Sequence, residues 1–140
     1  ITRPFNYTGA GQAENFLIPK IIKHFRERKE VIELGNIDVW RDFSDVRDVV
    51  KSYSALLHSR SFGQAVNVAS CKMHSLRDVV DLCKSLTGHD IRIEVNPDFV
   101  RPNEIKELCG DITLLSRLVG ETSSKIPLRD TLKWMLEAKQ

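Results

Sequence analysis

Cysteine is scarce: Cys71, Cys83 and Cys109 are the only three in 140 residues, and no two stand in CxxC spacing. A disulfide-built scaffold is thereby excluded. With no histidine in ligand spacing to a cysteine, a structural zinc site has no footing either. The three read as reduced, small core residues of a reducing, cytoplasmic compartment. Charge of one sign is also lacking: 21 basic residues meet 19 acidic ones, for a net charge of +2. No basic face stands out, so nucleic acid is not expected as a partner. No apolar run approaches the length of a membrane span, and no signal peptide is visible, so no membrane is expected. The two glycines of Asn6-Tyr7-Thr8-Gly9-Ala10-Gly11-Gln12 form neither a dinucleotide fingerprint nor a Walker loop. No nucleophile–base pair is evident, each serine having a histidine near it only by accident of composition, and no paired carboxylates stand in a cleft spacing.

What is present is an ordinary globular mixture, 41% hydrophobic and 29% charged, long enough for one domain with its own core. Apolar periodicity predicts strands at Ile1–Phe5, Val31–Leu34, Ala65–Ala69 and Ile91–Val95. Helices are predicted at Asn15–Arg28, Val46–Leu57, Leu76–Leu86, Ile112–Val119 and Leu128–Ala138. Ser44 or Asp45 caps the second helix, Gly88 stops the third, and Pro127 opens the last. Alternating strands and helices indicate an α/β chain. The first residue is Ile1 rather than Met, which leads to the expectation of a fragment of a longer chain or a processed one.

The stretch Gly35-Asn36-Ile37-Asp38-Val39-Trp40-Arg41-Asp42-Phe43 follows a strand and precedes a helix. It reads either as a loop that presents one guanidinium to an anion or as a surface Arg–Asp pair at a corner. Arginine suits the first role because its planar fork donates two parallel charge-assisted hydrogen bonds. Arg101 is expected on a second loop after a strand, with Glu104 three residues on. Two such arginines with Asn6 would suit a diphosphate, and Glu104 a sugar hydroxyl. Asn6 otherwise merely caps its turn. Lys20, near the start of a helix whose dipole disfavours a cation, either faces an anionic or carbonyl-bearing ligand or is solvated.

Taken together and in order, these stretches carry a resemblance. Arg3-Pro4-Phe5-Asn6-Tyr7-Thr8-Gly9-Ala10-Gly11-Gln12, Phe16-Leu17-Ile18-Pro19-Lys20, Leu34-Gly35-Asn36-Ile37-Asp38, and Arg41-Asp42-Phe43-Ser44-Asp45-Val46-Arg47-Asp48 are followed by Arg101-Pro102-Asn103-Glu104 and Gly110-Asp111. The set resembles the C-terminal half of the extended short-chain dehydrogenase/reductases (the NAD-dependent epimerase/dehydratase family). It is most like the branch holding GDP-mannose 4,6-dehydratases and GDP-4-keto-6-deoxymannose reductases. The resemblance implies the end of a Rossmann-type NAD(P)-binding fold plus a small mixed α/β substrate lobe. Residues 1–12 and 64–70 would be strands of the Rossmann sheet, and the N-terminal cofactor domain would be absent.

The resemblance also implies roles. Asn6 would contact the sugar diphosphate, and Pro4, Phe5 and Tyr7 would lie near the nicotinamide of NAD or NADP. Tyr7 stands where the family more often has histidine. Leu17 and Lys20 would face the guanine, and Leu34, Gly35 and Asn36 would line the nucleoside pocket. Arg41 and Arg101 would clamp the diphosphate, and Glu104 would meet the ribose. The family's Tyr-x-x-x-Lys pair is missing, since Tyr7 and Tyr53 are the only tyrosines and neither has a lysine four residues on. No catalytic residue is therefore expected in this chain. The implied partner is a GDP-sugar, with a homo-oligomer possible through helices of the other half. A non-catalytic nucleotide-sugar-binding module, or a different nucleotide-sugar epimerase or dehydratase, would carry the same stretches.

Overall fold

The computed structural model describes residues 1–59, 63–100, 102–120 and 126–138. Arg101, one of the two expected diphosphate clamps, lies outside the described residues. Strands β1 (Thr2–Pro4) and β5 (Val66–Val68) pair in parallel, Thr2 opposite Val66. Strand β2 (Asn6–Thr8) runs parallel to β4 (Trp40–Asp45), with Asn6 opposite Phe43. The other half of β4 takes β6 (Met73–Ser75) in antiparallel pairing and β8 (Glu107–Leu108) in parallel pairing. Strand β3 (Val31–Leu34) pairs in parallel with β7 (Arg92–Val95). Helices α1 (Leu17–Arg26), α2 (Val46–His58), α3 (Leu76–Thr87), α4 (Thr113–Val119) and α5 (Leu128–Glu137) join and cover the strands. This is the α/β class expected from the alternation of elements.

Local chemistry explains the helices. In α1, Ile18, Ile21, Ile22 and Phe25 recur at three- and four-residue steps and are all buried. Pro19 falls in the first turn, where an absent amide proton breaks no helical bond. Helix α3 opens on a reciprocal capping box between Ser75 and Asp78, and Gly88 ends it at φ 62°. The faces of α1, α3 and α5 meet β3 and Phe43 in one core whose fully buried members include Ile21, Ile32, Val79 and Leu132. A smaller apolar cluster joins Val49 of α2, Val66 and Val68 of β5 and Leu115 of α4.

Several segments differ from the reading above. Asn6–Thr8 is a strand rather than part of a glycine loop, and so is Trp40–Asp45, which places Arg41 on a strand and not on a loop. His74 and Ser75 complete β6 immediately before α3. Phe16, inside the predicted helix Asn15–Arg28, stands just before α1 and is 53% exposed. Val50 and Leu57 of α2 likewise point outward. Of the cysteines only Cys83 is buried; Cys71 and Cys109 are exposed, so these two are not core residues.

Asp45 is the cap of α2 and a second junction. Its carboxylate accepts hydrogen bonds from the Arg47 amide (2.8 Å), the Arg47 guanidinium (2.9 and 2.7 Å) and the Thr131 hydroxyl of α5 (2.7 Å). Burial pushes this carboxyl up, but the bonds from Arg47 and Thr131 outweigh it and hold it below the ordinary carboxylate range. A carboxyl depressed on folding stabilises above its unfolded pKa, roughly 3.9. That stability is lost as pH falls through the folded value. Asp45→Asn is therefore expected to destabilise the protein at neutral pH and to flatten the acid limb below about pH 4. Urea melts across that range check this; an acid limb identical to the parent's would remove Asp45 as its source.

Candidate functional site

The β4 strand separates two environments because successive side chains point to opposite faces. Arg41 and Phe43 face a cleft of about 840 Å³. Asp42, between them, is fully buried on the other side. Arg41 and Asp42 are therefore not the surface pair that the sequence left open. Each has its own partners.

Arg41 is fixed from three directions. Its Nη1 donates to the backbone carbonyls of Trp40 (2.8 Å) and Lys106 (3.3 Å), and its Nη2 lies 3.5 Å from Glu104 Oε1. Both side chains of this ion pair are only 18% exposed. The second Glu104 oxygen, Oε2, is buried without a hydrogen-bond partner among the described residues. A buried carboxylate oxygen left unsatisfied costs free energy unless a donor reaches it. The cleft thus presents a guanidinium held in a set orientation and, beside it, an acceptor that still requires a hydroxyl or amide proton.

The remaining walls come from the ends of other elements. Gly35 and Asn36 follow the C-terminal end of β3, and the 3-10 turn Pro97–Phe99 follows that of the parallel neighbour β7. Ligands of α/β proteins gather beyond the carboxyl ends of parallel strands, where backbone groups are not consumed by the ladder. Asn36 Oδ1 accepts from the Asp38 amide (3.0 Å) and Asn96 Oδ1 from the Asp98 amide (2.9 Å), which sets both turns. Gly35 is required by packing: a Cβ there would stand 2.5 Å from the Phe99 carbonyl oxygen and 3.0 Å from its carbon. Because those atoms are backbone, Gly35→Ala is expected to displace the turn and cost about 1–3 kcal/mol. Urea unfolding checks this; an unchanged midpoint would show that the turn yields freely.

Eight of the nine residues expected to bind substrate line this one cleft: Asn6, Leu17, Lys20, Leu34, Gly35, Asn36, Arg41 and Glu104. The ninth, Arg101, is outside the described residues. Of the three residues expected near a nicotinamide, Phe5 and Tyr7 line the cleft and Pro4 does not. Lys20, which the sequence left either facing a ligand or solvated, has partners within the chain. Its Nζ donates to the Glu33 carbonyl (2.8 Å) and sits 4.7 Å from the centre of the Phe99 ring. Phe16, Asp98 and Phe99 also line the cleft and were not anticipated. Phe99, 49% exposed, had one legible signal, an aromatic residue in a polar loop between Pro97 and Pro102.

Asp42 works from behind the cleft. Its Oδ1 accepts from the Ser70 amide (2.8 Å) and hydroxyl (2.6 Å), and its Oδ2 from the amides of Cys71 (2.9 Å) and Gly110 (3.3 Å). One carboxylate therefore ties β4 to the turn after β5 and to the turn after β8. These are the segments that set where Arg41 and its β8 neighbours stand.

Comparison with known proteins gives a consistent picture. A family described as GDP-mannose 4,6 dehydratase matches residues 1–125. The GDP-6-deoxy-D-talose 4-dehydrogenase of Aggregatibacter actinomycetemcomitans is 31% identical over 135 residues, covering 96% of this chain and 46% of its own length. Among solved structures, a candidate epimerase from Burkholderia cenocepacia J2315 superposes with a TM-score of 0.93 at 43% identity. That match covers 97% of this chain and 45% of the other. The structure of RMD from Pseudomonas aeruginosa complexed with NADPH has a TM-score of 0.88 at 28% identity, covering 96% of this chain and 46% of the other. The chain spans about half the length of these relatives.

Proposed function

This chain belongs to the GDP-mannose 4,6 dehydratase family, and we propose that it is the substrate-binding portion of an NAD(P)-dependent enzyme acting at C4 of a GDP-linked sugar. The observation that carries the reading is the Arg41–Glu104 pair, a fixed cation beside a buried acceptor that lacks a donor. A nucleoside diphosphate satisfies both at once. Its phosphate oxygens accept from the guanidinium, and a ribose hydroxyl donates to Glu104 Oε2. Asn6, opposite Phe43 on the neighbouring strand, reaches the same diphosphate. Leu17, Lys20, Leu34, Gly35 and Asn36 surround the base, beside the Phe99 ring that the Lys20 ammonium covers on one face. Arg101 is the second diphosphate clamp.

Phe5 and the 43% exposed Tyr7 line the cleft edge and fit a flat aromatic cofactor ring, while Pro4, outside the cleft lining, keeps only a proposed backbone role beside them. These residues fit one wall of a nicotinamide site. The glycine-rich phosphate loop that would hold the rest of NAD or NADP is not among these 140 residues. When bound, the nicotinamide supplies or accepts the hydride. The part of this chain is to hold the sugar nucleotide in register with it. The likeness to a GDP-sugar 4-dehydrogenase favours oxidation or reduction at C4. Residues 1–12 and 64–70 complete the sheet of the cofactor domain, in line with the parallel pairing of β1 with β5.

Calorimetry with the longest natural chain that carries these residues tests the proposal. GDP is expected to bind at least about tenfold more tightly than UDP or ADP, a difference of roughly 1.4 kcal/mol. Equal affinity for all three would overturn the assignment of the base. No heat with any of them would overturn the nucleotide site itself.

A further inference from the structure

Outside the cleft, the group least explained by substrate binding is the pair of exposed thiols beside Asp42. Cys71 follows β5 and Cys109 follows β8, 38 positions apart in sequence, yet both sulfurs turn to one atom. Cys71 Sγ lies 3.2 Å and Cys109 Sγ 3.9 Å from the carbonyl oxygen of Gly110. Cys109 Sγ also lies 3.7 Å from Asp42 Oδ2, the oxygen that accepts the Cys71 amide at 2.9 Å. The two residues are thus held against each other by shared acceptors on both sides. Cys83, the third cysteine, is fully buried in the main core and takes no part.

We propose that Cys71 and Cys109 form one oxidisable dithiol site, which a hydroperoxide converts into an intramolecular disulfide across the Asp42 junction. In the first step the thiolate of one cysteine attacks a peroxide oxygen. The O–O bond breaks, the sulfur is oxidised to a sulfenic acid, and the departing oxygen leaves as water or an alcohol. In the second step the other sulfur attacks the sulfenic sulfur, the S–O bond breaks, and the oxygen departs as water. Two thiols and one hydroperoxide thus give one disulfide and two hydroxylic products, with the peroxide as the species reduced.

The placement suits the second step. The sulfurs cannot be farther apart than their two distances to the Gly110 oxygen combined, so the second thiol is confined to the neighbourhood of whichever sulfur reacts first. Cys71 holds φ at 59°, an uncommon conformation for a residue with a side chain, and the hydrogen bond its amide donates to Asp42 keeps it there. Burial, and after it the Asp42 carboxylate, push both thiols above their ordinary range. The thiolate is therefore a minor species at neutral pH, and the rate of the first step is set by its small population. The product would join the turn after β5 covalently to the turn after β8. Asp42 already joins these two turns through hydrogen bonds, directly behind Arg41.

The test is a non-reducing peptide map of the native protein after treatment with excess hydrogen peroxide, with free thiols alkylated before unfolding. The expected result is a single cross-linked species joining the peptides of Cys71 and Cys109, lost on reduction, with Cys83 recovered as free thiol. Cys71→Ser and Cys109→Ser should each abolish that species, and the wild-type map decides the matter even where a variant folds poorly. Phenylarsine oxide, which bridges adjacent thiols, is expected to block both cysteines at one equivalent. Separate sulfinic or sulfonic acids without a cross-link, or disulfides only between molecules, would overturn the proposal.

Discussion

Replacing Arg41 with alanine is expected to weaken GDP-sugar binding about 100-fold, equivalent to roughly 3 kcal/mol. The size follows from what the guanidinium does. A hydrogen bond to a charged group contributes about 1.5–3 kcal/mol, and a forked donor makes two. The substitution also strands Glu104, whose Oε1 loses its cation and whose Oε2 already lacks a partner among the described residues. Arg41→Lys separates charge from geometry. It keeps the cation but loses the contacts to the Trp40 and Lys106 carbonyls that hold the fork in place. The lysine variant is expected to recover only part of the affinity. Calorimetric titration of both variants measures this, with a urea melt to show that each remains folded. Affinity within twofold of the parent would detach Arg41 from the ligand.

The second large effect is on stability. Asp42→Ala is expected to cost about 3–5 kcal/mol, the range for removing one partner from a buried charged network. The carboxylate is fully buried and accepts from Ser70, Cys71 and Gly110. Deleting it leaves three backbone amides and a hydroxyl buried or half-buried without that acceptor. Asp42→Asn keeps the shape but turns an NH₂ group toward donors, and it is expected to recover little. Equilibrium urea unfolding reads both. A loss below about 1 kcal/mol for the alanine variant would show that water replaces the carboxylate without difficulty.

These two neighbours also show how far the sequence could be read. Elements whose apolar periodicity is local, such as α1, α3 and β3, were legible within a few residues, because their pattern states which face is buried. Strand β4 was not. Its Trp-Arg-Asp-Phe-Ser-Asp sequence places three charged residues in six, a pattern that reads as a polar loop. It is a buried strand only because distant partners neutralise those groups. Ser70 and Gly110 serve Asp42, Thr131 serves Asp45, and Glu104 serves Arg41. Propensity within a window cannot register bonds between residues 28 to 86 apart. Strand β2 was hidden by the two glycines beside it, and β8 is only two residues long.

The candidate site was legible by a different route. Of the residues now found around the cleft, Asn6, Lys20, Arg41 and Glu104 were raised by local chemistry and given their roles by family resemblance, which alone added Leu17 and Leu34; periodicity singled out none of them as ligands. Local sequence alone left Asn6 between a turn cap and a ligand contact, and Lys20 between a solvated side chain and one that faces a ligand. The resemblance did not supply Lys20's actual partners, because a bond to the Glu33 carbonyl and a position over Phe99 depend on how α1 meets β3 and β7. Phe99 was missed because an exposed aromatic in a loop has no period to betray it.

The proposed site requires a cation and an unsatisfied acceptor to meet one nucleoside diphosphate. The most direct measurement is a crystal structure of the protein soaked with GDP. The predicted result places phosphate oxygens within hydrogen-bond distance of the Arg41 guanidinium and a ribose hydroxyl on Glu104 Oε2. GDP bound elsewhere, or in this cleft with its phosphates turned away from Arg41, would contradict it.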